Sequence, residues 1–174
     1  IIANPFLQGP IFERSVVFMI EHNFEGSIGF IINQPTGITV GQAFNRIKDC
    51  DLPVYYGGPV DDDILYYIHS LGEKATKSVK ISDNLYWGGD FDDICDLIEK
   101  GEVSSDQIKF FIGYSGWSDL QLEKEFKKDS WIICDCKIGY IFKDQDKSLW
   151  NKCLESKKNK ISIYSKFAHT PSLN

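Results

Sequence analysis

The sequence has no positive charge to spare. Its 19 Lys and Arg stand against 25 Asp and Glu, giving a formal charge of −6 and a pI near 5.0. Duplex binding needs a basic patch that neutralises phosphates, so direct nucleic-acid binding is disfavoured. The densest basic stretch, KKNK at 157–160 beside Lys152, reads as a solvated helix end. Long apolar runs are missing too: none approaches the ~20 residues of a membrane span, so no membrane partner is expected. No signal-peptide pattern opens the chain, and its first residue is Ile1, not Met, which fits a few residues preceding it. The five cysteines are an odd number without a regular framework, which points to thiols in a reducing cytoplasm. Only three histidines occur. None stands at the close spacing of metal ligands, so no metal and no cofactor is expected.

What is there is globular: 174 residues, 43% hydrophobic and 14% aromatic, enough for one domain over 1–174 with a real core. SVVFMIEHN (15–23) and SIGFIINQP (27–35) flank FEG and read as a hairpin, apolar enough to be central and covered. Thr39 reads as an N-cap, with Val40, Ala43, Phe44 and Ile47 at helical spacing. PVYYGGPV (53–60), ILYYIHS (64–70), SVKIS, LYWGG and IKFFIGYS read as strands, as do the later SWIICDC and IGYIF. Asp90 can cap a helix over 91–100 that Gly101 ends. Ser118 and Gln121 suggest a capping box for a helix over 119–128, and KSLWNKCLES reads as a last helix. Strands outnumber helices and many are joined by tight turns. The expected fold is α+β, a single domain with a mixed, mainly antiparallel sheet, barrel-like closure being one form of it, and about three to four packed helices. YYGGPVDD (55–62) echoes YWGGDFDD (86–93), through either duplication or shared turn chemistry.

Chemistry is carried by few stretches. Gly113-Tyr114-Ser115-Gly116-Trp117 has the outline of a nucleophile elbow, but an indole stands where that elbow needs its second glycine. A structural corner is the expected reading, with Trp117 in the core, Leu122 and Phe126 facing inward, and Gln121 and Glu125 on another face. His22 and His69 end strands and are expected to be hydrogen-bonded structural residues. Cys134 and Cys136 share one face of the strand assigned to them and read as inert. The adjacent acids Asp61, Asp62 and Asp63 cannot all point at one ion and read as a solvated turn. Gly57-Gly58-Pro59 is a weak anion nest, since acids follow it. Arg14 precedes a buried-looking strand and wants a carboxylate, with Glu21, Glu123 and Glu125 as the candidates.

Taken together, IIANPFLQGPIFERSVVFMIEHNFEGSIGFIINQP (1–35), VYYGGPV (54–60) followed by IH (68–69), and GYSGWSDLQLEKEFKKDSW (113–131) resemble the pattern of the bacterial YqgE/AlgH family. The resemblance runs from Ile1 to about Leu154. One departure is Leu120, where that family usually has glycine. The resemblance implies an α+β cytosolic protein without an established enzymatic activity and with a transcriptional-regulator label. The resulting expectation is a non-enzymatic module that binds a small molecule or a protein and acts on transcription indirectly. Its candidate pocket gathers Arg14, His22, Gly57, Gly58, His69, Tyr114, Ser115, Gln121 and Glu123, with no catalytic residue assigned. The alternative is a hydrolase or transferase using Ser115 with His22 or His69 as base. The oligomeric state is not legible.

Overall fold

The computed structural model describes residues 1–135, 137–143 and 148–157. In chain order the elements are β1 (Ile2–Ala3), β2 (Val17–Asn23), β3 (Gly26–Ile31), β4 (Pro35–Thr39), α1 (Val40–Ala43), β5 (Pro53–Tyr56), β6 (Val60–His69), β7 (Val79–Ser82), β8 (Leu85–Trp87), α2 (Phe91–Glu99), β9 (Ile108–Ser118), α3 (Gln121–Lys127), β10 (Trp131–Ile132), α4 (Ile138–Phe142) and α5 (Ser148–Ser156).

The sheet is organised around β9. Its first half pairs with β6 antiparallel on one edge and β5 in parallel on the other, and its second half pairs antiparallel with β3. The path β2-β3-β9-β6-β8-β7, with β4 and β5 beside it, makes a mixed, mainly antiparallel α+β sheet nearly closed as a barrel. Strand alternation splits the core. Ile108 and Phe110 of β9 pack with Ile94 and Leu97 of α2, whereas Phe111 packs with Ile141, Phe142, Leu149 and Trp150 of α4 and α5. Further along, Trp117 packs with Val17, Ile31, Leu122 and Trp131 under α3. Lys109 is buried on the Phe111 side of the core. Its ammonium donates to the carbonyls of Ile32 (2.7 Å) and Ile141 (2.9 Å) and lies 3.7 Å from the Tyr55 ring centroid, so the charge is not left bare.

Several expectations need correction. The β2–β3 hairpin forms, but it is not central: β2 ends the sheet, and Glu21, His22 and Asn23 are exposed. Thr39 caps α1 in a full capping box with Gln42, yet the helix stops after one turn, a 3-10 turn follows at Asn45–Ile47, and Ala43 is exposed. Residues 113–118 make no corner. β9 runs through them to Ser118, with Gly113 at φ 68° between the end of its parallel pairing with β5 at Ile112 and the start of its pairing with β3 at Ser115. Helix α3 therefore starts at Gln121, and Ser118 donates its backbone N–H and hydroxyl to the Gln121 amide oxygen instead of capping the helix. IGYIF is helix α4, not a strand. Its apolar residues at i, i+3 and i+4 suit a helix packed on the sheet as well as a strand within it. Among the described residues of the late SWIICDC segment, only Trp131 and Ile132 pair as a strand. Five helices form among the described residues, of which α2, α3 and α5 have seven or more residues. The Gly57/Gly88 echo is not a structural repeat: one copy leads from β5 into strand β6, the other from β8 into helix α2. Cys136, residues 158–160 of the basic stretch, and His169 lie outside the described residues.

Candidate functional site

The two glycine stretches do meet. A Cβ on Gly57 would stand 2.1 Å from the Gly113 carbonyl oxygen, and one on Gly58 would stand 2.3 Å from Tyr114 backbone atoms. Only hydrogen fits between these backbones. The Ser115 hydroxyl completes the crossing by donating to the Gly57 carbonyl (3.0 Å), and Ser115 is 0% exposed. It is a staple between β9 and the β5–β6 turn, not a displayed nucleophile.

Past the crossing, the hairpin register places His22 opposite Ser27, and the His22 Nδ1 lies 2.7 Å from the Ser27 hydroxyl oxygen. Glu123 of α3 comes within 3.8 Å of His22 Nε2. The order Ser–His–Glu suggests a relay, but Ser27 sits between β2 and β9 in the sheet and is 5% exposed. The trio ties hairpin to helix. Two residues along α3, Glu125 accepts hydrogen bonds from the indole N–H of Trp117 (2.9 Å) and of Trp131 (2.7 Å) and from the Gln121 amide (3.0 Å). Phe12 packs against both indoles.

His69 is far from being a surface base. It is 0% exposed, stacked on Tyr86, with Nε2 near the Ser78 hydroxyl (2.9 Å) and the Gly88 carbonyl (3.1 Å), while Nδ1 accepts from the Leu71 N–H. That pattern puts the proton on Nε2. Burial pushes its pKa below the ordinary 6.5. Burial likewise pushes the Cys50 and Cys95 thiols up, away from the reactive thiolate form. Asp61, Asp62 and Asp63 are exposed on β6, and no cluster able to hold a metal ion occurs among the described residues.

Arg14 lies elsewhere again. Its guanidinium carbon is 5.7 Å from the Trp150 ring centroid, and its backbone is left-handed at φ 52°. Asn33 holds that strained turn: its buried amide accepts from the Val16 N–H (2.8 Å) and donates to the Arg14 carbonyl (2.9 Å). Together with Pro10, Glu13, Gln34 and Pro35 they line an open cleft of about 400 Å³. None of the three carboxylates suggested by the sequence forms an ion pair with Arg14. Glu21 binds Asn23, Glu123 faces His22, and Glu125 holds the indoles.

The nine expected site residues thus divide. His22, Gln121 and Glu123 gather around the start of α3; Gly57, Gly58, Tyr114 and Ser115 form the strand crossing; His69 and Arg14 stand apart. Ser27, Asn33 and the acceptor role of Glu125 were missed. Ser27 was within reach, since a two-residue tip at Phe24-Glu25 sets His22 against it. Asn33 and Glu125 gave no local signal, because their partners lie across the fold.

Fold and clefts together define a class: a near-barrel α+β protein whose polar residues at these places mostly bond to other groups of the fold. The chain belongs to the AlgH-like family DUF179, which matches residues 1–162. UPF0301 proteins of Chlorobium limicola and Cytophaga hutchinsonii are 37% and 38% identical over all of this chain and 93% and 96% of their own lengths. The solution structure of the AlgH protein from Pseudomonas aeruginosa superposes with a TM-score of 0.74 at 22% identity, covering 99% of this chain and 93% of that one. A crystal structure of a Corynebacterium diphtheriae protein gives 0.74 at 18%, covering 94% and 88%. At these identities the two structures speak for the fold alone.

Proposed function

We propose that the chain is a non-enzymatic binding module whose ligand cleft is the one Arg14 lines. The observation that carries this is the guanidinium over Trp150 at the wall of the roughly 400 Å³ cleft, on a strained backbone that Asn33 holds in place. A guanidinium is the side chain best suited to recognise carboxylate or phosphate oxygens. Glu13 on the rim and the overall charge of −6 oppose a highly charged ligand, so a small monoanion suits the cleft best. The absence of catalysis is supported by the burial of Ser115 and by the bonding of His22 and His69 to other serines. The free thiols of Cys50, Cys95 and Cys134 suit a cytoplasmic setting. Action on transcription then runs through the liganded protein and its partners, not through duplex contact.

Calorimetric titration with small monocarboxylates and with inorganic phosphate tests the cleft. Binding should weaken at least about tenfold in Arg14→Lys, which keeps the charge but loses the planar fork. Equal affinity in that variant, or no heat with any probe, removes the reading. A labelled duplex should remain unshifted even at low salt; a salt-sensitive shift would reinstate direct DNA contact.

A further inference from the structure

We infer that a groove across β2, β3 and β9 binds an alkylammonium group, an amine cation on a short aliphatic stem. This goes beyond the Arg14 cleft and concerns a separate site of opposite sign. Strand register builds it. Glu21 of β2 stands opposite Ile28 of β3, which stands opposite Gly116 of β9. Residues directly opposite share one face of a sheet, and so do residues two apart in a strand, which adds Asn23 and Tyr114. Together with Glu25 they bound a groove of about 330 Å³.

The floor of this groove is what points to a ligand. Gly57, Gly58 and Gly113 each press on backbone atoms, which accounts for those glycines. At Gly116 the backbone is not left-handed, and the atoms nearest to an added Cβ belong to side chains: Tyr114 Cε2 at 3.1 Å and Val60 Cγ2 at 3.5 Å. Glycine inside a strand weakens it and marks a place that something approaches closely. Here the missing side chain leaves an exposed hollow beside the Tyr114 ring, which a T-shaped contact with Tyr66 holds in place.

The rim sets the sign of the ligand. Glu21 and Glu25 line the groove, and no lysine, arginine or histidine does so among the described residues. Asn23 orders both: its amide donates to the Glu21 carboxylate (2.6 Å), and its oxygen accepts from the Glu25 backbone N–H (2.8 Å). His22, between Glu21 and Asn23 in the strand, is turned to Ser27 and Glu123 instead. Exposed carboxylates alone hold a simple cation weakly against water. An alkylammonium also uses the floor: its stem lies over Ile28 and the Gly116 hollow, and its charge meets the Tyr114 ring as well as the acids.

The test titrates the isotope-labelled chain with n-butylammonium, with n-butanol and butyrate as neutral and anionic counterparts and sodium chloride as the ionic-strength match. Amide resonances of Glu21, Glu25, Ile28 and Gly116 should shift saturably with the ammonium alone. Gly116→Val fills the hollow, and Glu21→Gln with Glu25→Gln keeps the shape of the rim while removing its charge. Each should weaken binding at least about tenfold. The glutamine pair is exposed, so its folded spectrum should otherwise match the parent. Arg14→Lys should leave the titration unchanged, which separates this site from the Arg14 cleft. Lysine blocked at both ends distinguishes the source: binding equal to that of n-butylammonium assigns the groove to a lysine side chain of a partner protein, and weaker binding assigns it to a free amine. The inference fails if n-butanol or sodium chloride produces the same shifts, if the shifts lie elsewhere or are absent, or if the glutamine pair binds as the parent does.

Discussion

Single residues carry most of the strain in this chain. Leu120 sits at φ 55° and is 55% exposed, just before α3 begins. A side chain in that backbone region costs about 1–2 kcal/mol, while glycine returns about 0.5–1 kcal/mol of that as unfolded-state entropy. Leu120→Gly should therefore stabilise the chain by about 0.5–1 kcal/mol, read as a higher urea midpoint at unchanged slope. A lower midpoint would show that the leucine contributes contacts outweighing its backbone strain. The glycine expected at this position from the family pattern is thus explained by the backbone, not by a pocket. The opposite case is Gly58, at φ 149° and against the backbone of Tyr114. Gly58→Ala should cost about 2–4 kcal/mol, because neither backbone can retreat without breaking strand pairing. Thermal unfolding would check it, and a loss under about 1 kcal/mol would mean that the crossing is looser than its geometry.

At the scale of elements, α3 is held to the sheet by one carboxylate. Trp117 of β9 and Trp131 of β10 both donate to the same oxygen of Glu125, and Leu122 packs beneath. Glu125→Ala leaves two largely buried indole donors without an acceptor, at a cost of about 2–4 kcal/mol. Glu125→Gln, which keeps an acceptor oxygen, should recover part of the loss. Urea unfolding followed by tryptophan emission measures both, and equal stability of the alanine variant and the parent would refute the assignment. The sequence revealed α3, its inward Leu122 and the shared face of Gln121 and Glu125, since these follow from local spacing. It could not show that this face is turned toward two indoles, one before the helix and one after it.

For the molecule as a whole, His69 supplies a buried element of acid sensitivity. The imidazole is buried and neutral, its Nδ1 is occupied by the Leu71 N–H, and its folded pKa lies below the ordinary 6.5. The unfolded chain therefore takes up the proton first. The contribution of His69 to stability is complete above pH 6.5 and is lost as the pH falls through the folded pKa. Denaturation midpoints should drop across that window in the parent chain. In His69→Gln the drop should be smaller, whatever the starting stability of that variant. An unchanged pH dependence would show that the histidine titrates normally.

The sequence by itself determined most of the longer strands, the hairpin, the Thr39 and Asp90 caps and the tight glycine passages, because propensity, capping and steric exclusion act within a few residues. The α+β class followed from them. It could not distinguish helix from strand for IGYIF, because a short apolar run satisfies both periods. Only the tertiary structure decided that β9 continues through Gly113 to Ser118, that β2 ends the sheet among the described residues, and that the polar residues divide among several places. Those outcomes depend on which strand pairs with which, and contacts made across the fold leave no mark in local sequence.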